Sequence, residues 1–326
     1  MAAASILFCI PVSAHRVIDV NELEPYGHDL HRPECVIARP DGDVFVPDWR
    51  GGITRIAADG SQDTWLARQA PAEVRPNGIA QAGDGSFLIA NLGDQGGVWR
   101  LRRDGRLEPF VIEVDGLPLP PANFVLADGQ SRTWISVSTR QVPRQNAWRP
   151  DFGDGFIVLH DRAGARIVAD GLHYTNEVKP DPTGAWLYVV ETFGRRLTRF
   201  RITPDGHLNG RETLLAFGHG VFPDGFAFDT AGGVWVTSLI SNRLLRFDGE
   251  TVQTILEDVN PAYIDSVEQA FAAGHMKRDH LGPIPGTKLQ QVTSLAFGGG
   301  DRTTVYLGSL HSDCLYRFRA DVAGAW

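Results

Sequence analysis

Six polar residues stand at the heads of six short apolar runs. They are Glu34 in ECVIARPDG, Asn77 in NGIAQAGDG, Asn123 in NFVLADG, Asn176 in NEVKPDPTG, Asp224 in DGFAFDTAG and Thr293 or Ser294 in TSLAFGGG. In four of the six the head lies eight residues before a turn glycine; the third run is two residues shorter. Singly, an Asn or Asp in such a place caps a strand or bonds loop backbone. The same side-chain chemistry at one frame of five repeats describes something else, a ring of oxygen donors with no His or Cys. Hard oxygen ligands suit Ca²⁺ or Mg²⁺ rather than zinc or copper; the cofactor expected is one divalent cation, Ca²⁺ first, with Mg²⁺, Mn²⁺ or Zn²⁺ as alternatives. The carboxylates of Glu34 and Asp224 would balance its charge.

Such a ring needs a scaffold that brings six strand heads to one point, and the chain repeats accordingly. After each head run comes a β-rich segment: DVFVPD, SFLIAN, TWISVS, LYVVET, VWVTSL and VYLGSL. A third element follows, ITRI, VWRL, FIVL, LTRF, LLRF and LYRF, with spacings of 45, 58, 41, 47 and 71 residues between copies. This brackets the 40 to 50 or so residues of a four-stranded propeller blade. Fourth strands follow five copies, at 63–68, 107–112, 165–170, 212–217 and 252–257, and the sixth has none. An orphan β-like run, RVIDV at 16–20, is expected to serve as the outer strand of the last blade and so close the ring. The fold read from this pattern is all-β: a single six-bladed β-propeller over 16–326, preceded by a segment 1–15.

In a propeller the heads of the innermost strands converge at one end of the axis. The second strand then ends on that face, and long insertions fall there: 113–122, 139–155 and 258–291. Loops of this length usually bind or cover a site. They offer Arg140, Arg144, Trp148 and His275 as substrate contacts, and 265–280 as a short helix over the pocket. Residues just after the second strands, among them Asp48, Asn91, Thr139, Glu191, Ser238 and Ser309, form a further ring. His311 is its one side chain able to titrate near neutrality. The substrate contacts expected are Asn77, Asn123, Arg140, Trp148 and His311.

The PEC segment at 33–35, NEVKPDPTGAWLYVVET at 176–192, PDGFAFDTAGGVWV at 223–236 and VTSLAFGGGDRTTVYLGSL at 292–310 together resemble the senescence-marker-protein, gluconolactonase and luciferin-regenerating family. The resemblance covers about residues 32–318. It implies a six-bladed propeller with an axial divalent cation and, most commonly, lactone hydrolysis. By that similarity Glu34, Asn176 and Asp224 match metal ligands, and Asn123 matches a position that holds substrate or metal. Three positions depart from the pattern: Glu177 where Gly is usual, Phe124 where Asp is usual, and Pro121 in place of an Arg.

The chemistry expected is metal-assisted hydrolysis of a lactone or related cyclic ester, with Asp224 as general base and Glu34 mainly holding the metal. A phosphotriesterase, or a lyase or isomerase, would use the same ring; a non-catalytic propeller that binds a protein or peptide would not need it. Composition narrows the partners. With 39 acidic against 31 basic residues and a formal charge of −8, the chain is unsuited to nucleic acid, and no stretch is apolar enough for a membrane span. The partner expected is a small-molecule substrate. Three cysteines without CxxC spacing support neither a disulfide framework nor a zinc cluster. The apolar residues 2–14 lack a basic flank, so a cytoplasmic location is expected, with periplasm or secretion following only if they act as a signal.

Overall fold

The computed structural model describes residues 15–68 and 73–325; the possible signal at 2–14 lies outside them. Six antiparallel four-stranded sheets surround one axis. Their innermost strands begin with Ile37–Ala38, Pro76–Gln81, Phe124–Ala127, Thr175–Pro180, Pro223–Phe228 and Val292–Gly298. The chain is a six-bladed β-propeller, as the repeats predict. The Asp-Gly pairs drive its hairpins: Gly42, Gly60, Gly85 and Gly206 all adopt positive φ, between 81° and 92°, which a side chain would resist.

The closing strand differs from expectation. The outer strand of blade six is Glu24–Tyr26, paired with Leu315–Arg319, and not the run at 16–20. Asp19 caps a single 3₁₀ turn at Val20–Glu22 through the Asn21 amide, which ends any strand there. Ile18 instead lies parallel to the outer strand of blade five, its amide donating to the Ile255 carbonyl at 2.7 Å. Its side chain is buried with Leu23, Trp235 and Leu256. The apolar periodicity of RVIDV thus reports burial between two blades. Tyr26 completes the closure by packing on Tyr306 at 5.1 Å.

The insertion 258–291 carries one α-helix, α1, at Pro261–Ala272, four residues earlier than the sequence suggests. Asn260 caps it and Pro261 opens it, while Gly274 at φ 66° lets the chain turn away. Its buried face, Ile264, Val267 and Phe271, packs with Trp148 of the insertion 139–155 and with Tyr174, Phe193 and Phe222. The two insertions are therefore joined by an apolar cluster. The hairpin inside 113–122 contacts the outer strand of blade three. No helix among the described residues is long and apolar enough to cross a membrane.

Candidate active site

The heads reach the axis through a repeated backbone irregularity. In blades two, four, five and six the inner strand carries one extra residue against its neighbour, between Pro76 and Ile79, Thr175 and Val178, Pro223 and Phe226, and Val292 and Leu295. Such a bulge bends the strand and re-aims side chains. The paired bulge residues are Asn77-Gly78, Asn176-Glu177, Asp224-Gly225 and Thr293-Ser294. Gly225 has no room for a side chain: a Cβ there would lie 2.6 Å from the Thr293 carbonyl.

The structure brings Glu34, Asn77, Asn123, Asn176 and Asp224 together, all buried. The Asn77 amide donates to Glu34 Oε1 at 2.9 Å and to Asn123 Oδ1 at 2.6 Å. Asn176 Nδ2 donates to Asp224 Oδ1 and, at 3.0 Å, to Thr192 Oγ1. Asn123 Nδ2 is anchored on Ser138 Oγ at 2.9 Å. Thr293 Oγ1 holds the main-chain oxygen of Glu34 at 2.7 Å, and Ser294 turns to Glu177 at 2.9 Å.

Glu34 and Asp224 are electrostatically unfinished. Among the described residues, neither has a Lys or Arg nitrogen within 4 Å. Burial, with the charge of Glu177 and against that of Arg32, pushes the Glu34 carboxyl up to about 7. Burial, then the charges of Glu34 and Glu177, raises Asp224 well above the usual carboxylate range. Three oxygens of the ring, Glu34 Oε2, Asn176 Oδ1 and Asp224 Oδ2, make no hydrogen bond among the described residues. Two carboxylates and amide oxygens, short of countercharge and partly uncommitted, fit a hard divalent cation. His, Cys, Asp and Glu alone form no metal cluster among the described residues, because the amides supply half the donors.

One residue further along the axis the chemistry changes. Glu177, in the second bulge position, accepts from Lys179 Nζ at 2.5 Å and from the Phe226 amide at 3.1 Å. Lys179 Nζ also stands 5.6 Å from the Phe124 ring centroid and 5.1 Å from that of Phe226. The departures at 124 and 177 thus form one layer under the ring. Beyond it, a cavity of about 660 Å³ opens at the opposite end of the axis, lined by inner-strand ends such as Ala38, Leu126, Pro180 and Phe297. Its lining is largely apolar and includes Lys179 of that layer.

The remaining candidates separate. Arg140 is bound to Asp170 of the outer strand of blade three at 2.9 Å, on both guanidinium nitrogens, and is not brought to the ring. His275 is exposed. Trp148 is buried against Phe193 at 5.9 Å with its Nε1 unpartnered. His311 bonds the Leu281 carbonyl through Nε2 at 2.7 Å, and burial lowers its pKa, so near neutrality it is an uncharged group beside the insertion. Asp48 and Glu191 are claimed by arginines: Arg50 at 2.7 Å, and Arg196 and Arg211 at 2.6 and 3.2 Å.

Sequence reading misses Arg32, which donates to Asn77 Oδ1 at 2.7 Å. A signal was available. Residues two ahead of the heads form their own ring, Arg32, Arg75, Pro121, Tyr174, Phe222 and Gln291. In blades two, four, five and six the carbonyl at this position accepts the amide that follows the second strand: Leu92, Thr192, Leu239 and Leu310. Ser138 and Lys179 carried no such signal, since their roles rest on cross-strand contacts.

A closed six-bladed propeller with an axial ring of buried carboxylates and amides is the class that fold and site define. Residues 29–263 match the SMP-30/Gluconolactonase/LRE-like region, and the chain belongs to that family. A 6-deoxy-6-sulfogluconolactonase of Pseudomonas putida is 28% identical over 243 residues, 68% of this chain and 78% of that protein. Among solved structures, a gluconolactonase from Xanthomonas campestris superposes with a TM-score of 0.66 at 18% identity, covering 95% of this chain and 96% of that one. A calcium-binding regucalcin from Agrobacterium tumefaciens gives 0.66 at 17%, covering 95% and 97%. At such identities the structural likeness speaks for the fold.

Proposed function

We propose that this chain hydrolyses a lactone or related cyclic ester at a divalent cation, best matched by Ca²⁺, held by Glu34, Asn123, Asn176 and Asp224. The observation that carries the reading is the pair of buried carboxylates with raised proton affinity and no basic side chain within 4 Å. Support comes from family membership and from the lactonases and the calcium-binding protein among the relatives.

The bound cation supplies Lewis acidity, polarising an ester carbonyl and making water easier to deprotonate. The protein does the positioning. Asn176 fixes Asp224 by its Oδ1, which leaves Oδ2 to take the proton of the attacking water as general base. Asn77 fixes Glu34, and Ser138 fixes Asn123, so these oxygens cannot rotate away. Trp148, Phe271 and their apolar neighbours stiffen the two insertions over this face and limit water access.

The test is a panel of lactones and esters with metal-depleted protein and with protein reloaded with Ca²⁺, Mg²⁺, Mn²⁺ or Zn²⁺. Hydrolysis that disappears on depletion and returns with one ion is expected. Full activity in chelated, metal-free protein would end the metal reading, and inactivity on every lactone with a cation still bound would end the lactonase reading.

A further inference from the structure

Arg32 and Arg144 stand on either side of one pair of axial amides. Arg32 Nη1 bonds Asn77 Oδ1 at 2.7 Å, Asn77 Nδ2 bonds Asn123 Oδ1 at 2.6 Å, Asn123 Nδ2 bonds Ser138 Oγ at 2.9 Å, and Arg144 Nη2 bonds Ser138 Oγ at 3.1 Å. Both arginines are half-buried. Neither forms an ion pair among the described residues. Arg32 stacks on Trp49 at 4.3 Å and Arg144 faces Tyr174 at 5.5 Å, so each fork is held by a ring face. Arg144 Nε is buried without a partner. Arg32 also holds the left-handed conformation, φ 57°, which a non-glycine residue adopts at a cost of about 1 kcal/mol or more. The charge of Arg144 disfavours that of Arg32 across these amides, and with no carboxylate paired to either guanidinium, an anion reaching both would be favoured. Formal charges agree: a divalent cation cancels Glu34 and Asp224, Lys179 cancels Glu177, and the two arginines remain as a surplus of two positive charges.

We propose that Arg32 and Arg144 form a clamp for an anionic substituent of the substrate, so that the ester turned over at the ring carries a sulfonate or carboxylate away from its reacting carbonyl. The clamp rests on the hydrolase reading for the word substrate, but its binding can be measured without turnover. The experiment compares D-glucono-1,5-lactone with the same lactone bearing a terminal sulfonate or a terminal carboxylate, in wild type, Arg32→Gln and Arg144→Gln, with Arg32→Lys as a milder variant. Wild type should favour a charged lactone in kcat/KM by about tenfold to a hundredfold, the scale of a charge-assisted pair. Each Gln variant should shrink that ratio about tenfold, chiefly through KM. Which charged arm is preferred identifies the anion. Raising ionic strength should raise KM for charged lactones only.

Equal kcat/KM for charged and neutral lactones, or a preference unchanged in both Gln variants, overturns the clamp. So does an equal loss of kcat on all lactones, which would assign the guanidiniums to the transition state. Calorimetry with the ring-opened acids separates the two readings. Tighter binding of the sulfonated or dicarboxylic acid than of gluconate, lost in Arg144→Gln, sustains the clamp even if no lactone is hydrolysed; equal binding of the acids removes it.

Discussion

Asn176 and Glu177 are neighbours in one bulge, yet they belong to two layers of the axis with opposite electrostatics. In the lower layer the protein provides its own countercharge, Lys179 at 2.5 Å from Glu177. In the upper layer, Glu34 and Asp224 are buried with hydrogen bonds from amides and no cation at contact. Carboxylates buried for structure elsewhere follow the lower pattern. Glu191 is held by Arg196 and Arg211, and Asp229 by Arg246 at 2.6 Å. Burial is the largest influence and would raise these two carboxyls, but the arginines together with hydrogen bonds from His173 and Thr198 to Glu191, and from Trp235 and Gly233 to Asp229, outweigh it and lower them. The chain thus shows that it can neutralise a buried acid, and at the ring it does not. On the proposed function, the acids left uncompensated at the ring are the ones that would meet a cation from solution.

The sharpest way to break this comparison is to neutralise each layer separately. Asp224→Asn and Glu34→Gln should each lower lactone hydrolysis by about a thousandfold or more, while thermal stability of metal-depleted protein stays level or rises, since a costly buried charge is gone. Near-normal rates in Asp224→Asn would remove it from the base role. Lys179→Met should do the reverse. Stranding Glu177 costs about 3 to 5 kcal/mol in denaturant unfolding, and adding Glu177→Gln should recover most of that loss. If Lys179→Met unfolds no more easily than wild type, the lower layer is not the structural pair described here.

A smaller effect sharpens the contrast through pH. Glu34 is raised to about 7 and Asp224 is raised too, so in metal-free protein the native state binds more protons than the unfolded state between the ordinary carboxylate range and about 7. Stability of metal-free protein should therefore fall as pH rises through that window, by up to about 1.4 kcal/mol per pH unit from Glu34, with Asp224 acting in the same direction. Calcium bound as proposed would have to displace those protons. Its affinity should climb with pH up to about 7, with proton release visible by calorimetry in buffers of different ionisation heat. Glu191 has the other sign: its pKa is lowered, so its stabilisation is present above the ordinary carboxylate range and is lost on acidification. Affinity independent of pH between 5 and 8 would contradict the upper-layer account.

Much of this architecture is legible in the residues because it is repeated. Six Gly turns, six β-rich second strands and five Asn, Asp or Glu heads at one frame each confirm the others, and blade number and ring membership follow from the register alone. What is not repeated is harder to read. RVIDV has the alternation of a strand, but Asp19 diverts it and the closing strand is the three-residue Glu24–Tyr26, too short to stand out. Helix α1 is shifted because its start depends on Asn260 and Pro261 rather than on apolar spacing. Arg140 and Arg144 look alike in the sequence; only the fold assigns one to Asp170 and the other to Ser138. Glu177 and Phe124 read as isolated departures until Lys179 joins them.

The seam of the propeller has a consequence for how the protein comes into being. Blade six is assembled from Glu24–Tyr26 and from strands that end at Arg319, so a ribosome must deliver nearly the whole chain before the circle can shut. Glu34 sits at that seam. Its main chain is gripped by Thr293, and the neighbouring Pro33 carbonyl accepts from the Ser309 amide at 2.9 Å. The position of Glu34 in the ring therefore depends on contacts between blade one and blade six.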